Sequence, residues 1–208
     1  MELQYYGANC VRLTTRKASI VIDDNLQKLG LKSVTKATDI SLRTSLMFPE
    51  HEGVAFTAEM PGEYEISDSI IHGVAARAHM DEEGKHNAVI YTVEADDVKV
   101  AVLGHIYPDL SDEQLEQIGM VDVAIVPVGG NGYTLDGIGA LKVIRKIEPK
   151  IVIPTHYGDK TIKYEVPQTE LTEAIKGLGM EPSETVLKYK IRPGELADTT
   201  KLIILERQ

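Results

Sequence analysis

The sequence predicts a layered α/β or α+β fold, and three observations carry the prediction. The first half is a series of short β-branched and aromatic runs broken by turn residues. The second half alternates continuous apolar runs with segments of helical period, the pattern of helices packed outside a sheet. No linker composition or internal repeat divides residues 1–208, so the chain reads as one domain.

Taken in order, Leu3 to Tyr6, Cys10 to Thr15 and Ser19 to Asp23 read as an antiparallel meander, with turns at Gly7-Ala8-Asn9 and Arg16-Lys17. Residues 24–38 are polar and mixed, a loop with one turn of helix. Asp39 to Arg43 is a further strand, and residues 44–58 have no clean period and read as loop. Tyr64 to Ile66, Ser69 to Ala76, Ala88 to Glu94 and Val98 to Leu103 are again strand-like, with a tight turn at Asp96-Asp97 between the last two. Ser111 with Gln114 is a capping-box pattern that opens a helix ending near Gly119. Val121 to Pro127 is apolar throughout, as a strand buried on both faces requires. A glycine-rich loop, GGNGYTLDG, leads into a helix from about Asp136 to Ile147, where Ala140, Leu141, Val143, Ile144 and Ile147 share a face. Ile151 to Pro154 is another buried strand, Pro167 to Gly177 an amphipathic helix, and Lys201 to Leu205 a closing strand.

Composition narrows the function. The net charge of −10 and the absence of any long Lys/Arg cluster argue against a nucleic-acid partner. No apolar run approaches the ~20 residues a membrane helix needs, and the N-terminus has no basic segment followed by an apolar stretch, so neither a membrane span nor a signal peptide is expected. The single cysteine, Cys10, fits a reducing compartment, and the expected location is cytoplasmic. Absence of Trp and only 2 Phe leave the core to Ile, Val and Leu.

Three histidines fall just beyond strand ends: His79, His105 and His156. Loops at strand ends are where α/β proteins build sites, since the sheet fixes their position. Three imidazoles that converge would bind one divalent metal and leave a position open for water; three that do not would each bond locally. Asp81, two residues beyond His79, is a candidate general base or fourth ligand, and His86 is an alternative. Gly130, Asn131 and Thr134 belong to a loop at a helix start, where backbone amides can hold an anion or substrate group, or form a plain turn. Asp23 closes a strand, as a site residue or a turn cap. Glu63 and Glu65 share one strand face, which reads as solvated surface.

Four ordered blocks, YYGANCVRLTTRKASIVIDDNL, PGEYEISDSIIHGVAARAH, VAVLGHIYPDLSDEQLEQIGMVDVAIVPVGGNGYTLD and EPKIVIPTHY, resemble the metallo-β-lactamase superfamily, in the branch that includes L-ascorbate-6-phosphate lactonase and related metal-dependent hydrolases. The resemblance covers most of residues 1–157. It implies a four-layer αββα sandwich with a metal site at one edge of two sheets. It also implies that His79 and His156 stand at ligand positions, and that Asp23 orients a ligand histidine.

The sequence departs from that family where the chemistry is concentrated. In TDISLRTSLMFPEHEG, Ser45, Met47, Pro49 and Glu50 stand where the family's His-x-His-x-Asp-His run supplies ligands, and His105 replaces a bridging aspartate. Three neutral imidazoles do not hold two dications ~3.5–4 Å apart, so the two-metal mechanism is rejected. The leading expectation is a pseudo-enzyme or binding module for a small-molecule ligand. The alternative is a mononuclear hydrolase of an ester, lactone or phosphoester, with one divalent metal (zinc first, manganese or iron next) on His79, His105 and His156. A homo-oligomer is expected from the branch's habit.

Overall fold

The computed structural model describes residues 1–197 and 199–208. Strands β1 (Glu2–Gly7), β2 (Cys10–Thr14) and β3 (Ser19–Ile22) form the expected antiparallel meander. β4 (Ile40–Leu42) and β5 (Phe56–Ala58) add in parallel on one side of it. In the second sheet β6 (Gly62–Ile66), β7 (Ser69–Ala76), β8 (Ala88–Ala95) and β9 (Val98–Val102) are antiparallel neighbours. β10 (Val123–Pro127) and β11 (Ile151–Thr155) continue in parallel, each fully buried, as their unbroken apolar runs demand. Three short strands finish the chain: β12 (Pro182–Val186), β13 (Lys188–Lys190) and β14 (Lys201–Leu205). The sheets have six and eight strands, in the orders β13-β1-β2-β3-β4-β5 and β12-β14-β11-β10-β9-β8-β7-β6.

The sheets pack face to face on one apolar core. Leu3, Leu13, Ile20, Ile22 and Leu42 from the smaller sheet meet Ile71, Tyr91, Val100, Ile125, Ile153 and Ile203 from the larger. Because side chains alternate along a strand, the intervening residues Val74, Ile90, Ala124, Val126 and Val152 face outward. The helices α1 (Asp112–Ile118), α2 (Gly137–Ile147) and α3 (Leu171–Leu178) supply residues that cover them. Outside the smaller sheet the layer is thin: a 3-10 turn at Leu26–Leu29 and the loop after it bring Leu26, Leu31 and Val34 onto Cys10 and Val21.

The structure adds three strands and moves one helix start. Residues 44–58, expected to be loop, end in β5. β12 and β13 were not expected, because both are short and mostly exposed and so lack an apolar signal. The last helix starts at Leu171 rather than Pro167. Residues 167–170 instead tie the two loops of the site together, through Thr169 N–H to the Gly129 carbonyl and Gly158 N–H to the Thr169 carbonyl, both 2.8 Å. No helix among the described residues is long and apolar enough to cross a membrane.

Candidate functional site

The ends of β9 and β11 bring His105 and His156 together at one edge of the sandwich, with ring centroids 4.7 Å apart and rings nearly perpendicular. Both are buried. His156 sits at φ 55°, a left-handed conformation that a non-glycine residue adopts only where its surroundings impose it. Its backbone N–H bonds the Ala8 carbonyl at 2.7 Å, and its Nδ1–H donates to Gln168 Oε1 at 3.1 Å. The second bond leaves the Nε2 lone pair free. His105 differs: neither ring nitrogen has a hydrogen-bond partner, although both are buried. An unpaired buried polar group costs ~1–3 kcal/mol, so a partner here would be stabilising.

Burial drives both imidazoles toward the neutral form. It lowers the His156 pKa to about 4 against the raising effect of the Gln168 bond. It holds His105 well below the usual histidine range, with His156 and His79 adding to the effect. Two neutral imidazoles at neutral pH are a ligand or base pair rather than a cationic patch. Around them, Phe48 lies 5.1 Å from His105, Tyr133 5.1 Å from His105 and 5.7 Å from His156, and Tyr164 5.2 Å from His156, ring to ring. A pocket opens beside His156, lined by Asn25, Met47, Phe48, Tyr133 and Tyr164 among others.

His79 stands one segment away. The Ala78–Ile106 bridge sets it alongside His105, and its backbone N–H bonds the His105 carbonyl at 2.7 Å. Its Nδ1–H donates to the Ile106 carbonyl at 3.3 Å. Asp81 is committed to its own loop: Oδ2 accepts from Ala78 N–H (2.9 Å) and Asn87 N–H (3.0 Å), and Oδ1 from the Asn87 amide (2.8 Å). Burial raises its pKa, but those bonds together with Lys85 hold it below the ordinary carboxylate value. It is therefore a loop staple, and no bond of its carboxylate reaches the imidazole pair. His86 is exposed at the end of the same loop.

Asp23 is a hub, but not for a histidine. Oδ1 accepts from Thr44 N–H (2.7 Å), and Oδ2 from the Thr44 hydroxyl and the Asn9 amide (both 2.6 Å). Burial raises its pKa to about 6 in spite of these bonds. Asn9 Oδ1 in turn accepts from the Thr155 hydroxyl at 2.7 Å, so the network ends on the residue before His156. None of these bonds of the Asp23 carboxylate goes to a histidine. Gly104, in the left-handed region at φ 60°, lets the chain pass Thr44; a Cβ there would meet Thr44 Cβ at 2.6 Å.

The glycine-rich loop is held by bonds within itself and to residue 167. Gly130 N–H bonds Thr134 Oγ1 (2.9 Å) and the Leu135 carbonyl (3.0 Å), the Thr134 hydroxyl donates to Leu135, and the Asn131 amide donates to Pro167 at 2.5 Å. The loop carries the Tyr133 ring to His105. Tyr133, Phe48 and Gln168 were missed by sequence reasoning. Only Tyr133 carried a signal, as the aromatic residue within a glycine-rich turn.

A two-metal centre does not fit these residues. Ser45 Oγ accepts from Met47 N–H, Met47 is exposed, and Pro49 has no donor atom, while Phe48 packs on His105. Among the described residues no three His, Cys, Asp or Glu side chains are grouped to hold an ion. The unpaired nitrogens of His105 and the free Nε2 of His156 fit one ion as two of its ligands.

Comparison with known proteins agrees with this architecture. The family profile described as Beta-lactamase superfamily domain matches residues 2–156. A UPF0173 metal-dependent hydrolase of Enterococcus faecalis is 26% identical over 170 residues, 76% of this chain and 74% of that protein. A metallo-beta-lactamase superfamily structure from Thermotoga maritima superposes with a TM-score of 0.77 at 23% identity, covering 99% of this chain and 98% of the other. Igni18, a metallo hydrolase from Ignicoccus hospitalis, superposes at 0.61 with 19% identity, over 92% and 99% of the two chains. The structural matches show the fold.

Proposed function

Because the chain belongs to the beta-lactamase superfamily, we propose that it is a hydrolase with a reduced, single-ion centre built on the His105–His156 pair. This reverses the order of the sequence expectations. The relatives carry the name metal-dependent hydrolase, which supports the hydrolytic alternative over a pseudo-enzyme. One observation carries the reading: a fully buried imidazole with two unpaired nitrogens, set against a second whose Nε2 is free.

A divalent ion would be held by His105 and His156 as two of its ligands, and when bound would supply positive charge beside a substrate oxygen. The chain's own residues do the rest. Gln168 fixes the His156 tautomer by accepting its Nδ1–H, and burial keeps both rings neutral and able to donate a lone pair. Phe48 and Tyr133 exclude bulk water from His105. The substrate class is an ester, lactone or phosphoester.

Metal content decides the matter. Untagged protein analysed by plasma mass spectrometry is expected to bind about one zinc, manganese or iron per chain, and a His105→Ala/His156→Ala double variant to bind none. Zinc first is the order that imidazole ligands suggest. No bound ion after loading with Zn²⁺ and Mn²⁺ would sink the hydrolase reading and leave a binding module.

A further inference from the structure

The geometry points to Phe48 as the residue that controls access to His105, and to Arg43 as the positioning residue that holds it in place. The inference rests on His105 being a working residue of the proposed centre. Phe48 is 4% exposed, yet it follows Leu46 and Met47, which are 60% and 52% exposed. One ring of a solvent-facing apolar loop is thus turned inward onto His105. Residues 46–48 belong to no strand or helix that could fix it.

Arg43 supplies that fixing. Its Nε and Nη2 donate to the Phe48 carbonyl at 3.2 and 2.6 Å, Nη2 also donates to Leu46 at 3.2 Å, and Nη1 pairs with Glu59. A planar fork satisfying the Leu46 and Phe48 carbonyls of the loop sets the backbone that aims the ring. The Arg43 side chain is itself mostly buried, whereas Glu59 reaches solvent. The pair is a latch with one half accessible.

Three rings pack on His105: Phe48, Tyr133 and His156. Tyr133 sits on a loop closed by its own bonds through Gly130, Asn131 and Thr134. His156 is pinned by Gln168 and Ala8. Phe48 has one backbone bond of its own, from its N–H to the Ser45 carbonyl at 3.2 Å, and otherwise depends on the Arg43 guanidinium, so it is the wall that can move.

Diethyl pyrocarbonate labelling of chelator-treated protein, mapped by mass spectrometry, tests this without reference to activity. The reagent attacks accessible neutral imidazole, and exposed His86 is the internal standard. In the native protein His86 is expected to react and His105 to remain unlabelled. In Phe48→Ala, shown folded by its melting transition, His105 gains labelling at a rate comparable with His86, and Glu59→Gln gives an intermediate rate. If Phe48→Ala does not fold, Phe48→Leu reads the same change. Native His105 that reacts as fast as His86 overturns the inference. So does a His105 that stays unlabelled in the folded Phe48 variant but is exposed by Tyr133→Ala. Since no metal is present, the gate stands or fails separately from the metal stoichiometry that tests the hydrolase reading.

Discussion

His105 gains nothing from its neighbours as a polar group: both nitrogens are buried without partners, inside a cluster of aromatic rings. Replacing it by a similar apolar volume removes that penalty. His105→Leu is therefore expected to raise the stability of metal-free protein by ~1–3 kcal/mol and to abolish metal uptake, as read by urea melts and plasma mass spectrometry. A drop in stability would show that His105 has a partner in solution.

The pH dependence is set by buried groups that oppose one another. His156 titrates at about 4 in the fold and ~6.5 when unfolded. Its contribution to stability is therefore present above the unfolded value and lost as pH falls toward 4. Asp23 titrates at about 6 in the fold and ~3.9 when unfolded. Its contribution is present at low pH and lost as pH rises through 6. Each is on the order of 3 kcal/mol, so the two nearly cancel. His105 acts in the same direction as His156 and tips the balance. The urea midpoint of metal-free protein should therefore rise between about pH 4 and 6.5, and His105→Leu should flatten that rise. A native midpoint that falls with pH over this window would show that Asp23 dominates. None of this was legible in the sequence, because burial sets these values and spacing does not report burial. What spacing did give was the position of His105 and His156 beyond strand ends.

Among elements, those with a strong period were the most legible. α2 declares itself through Ala140, Val143, Ile144 and Ile147, and an Asp136 cap whose side chain accepts Gly139 N–H at 2.7 Å. β10 and β11 declare themselves by unbroken apolar runs. β5, β12 and β13 did not, since three to five residues, mostly half-buried or exposed, leave too little pattern to read. The start of α3 was misplaced because Pro167, Gln168 and Thr169 suit a helix start but are drawn into bonds with the site loops. The α2–α3 contact was equally hidden. It depends on Gly137 against Gly177, where a Cβ on Gly137 would meet Gly177 Cα at 2.9 Å and the Ala174 carbonyl closer still. Gly137→Ala is expected to destabilise by ~1–3 kcal/mol through overpacking, despite a gain in helix propensity of up to ~1 kcal/mol. An unchanged melting temperature would mean that the helices separate at no cost.

At the scale of the molecule, the last segment fastens the two sheets to each other. β12 and β14 lie in the larger sheet, while β13 between them pairs with β1 of the smaller one. Successive residues of β14 alternate sides, so Ile203 and Leu205 enter the core between the sheets and Leu202 and Ile204 the core under the helices. Beyond β14, Gln208 N–H bonds the Tyr5 carbonyl at 2.9 Å, and the Tyr157 hydroxyl donates to Leu205 at 3.2 Å, close to His156. One strand thus links both cores and the edge that carries the imidazole pair. If it couples them, loss of packing on one face must be felt on the other. Ile203→Ala should cost ~2–5 kcal/mol, and a single transition should remain, with near-UV and far-UV signals moving together. Leu202→Ala, on the opposite face, should shift the same transition by a similar amount. Separate transitions in either variant would show that the two cores melt independently, leaving the histidine edge held by only one of them.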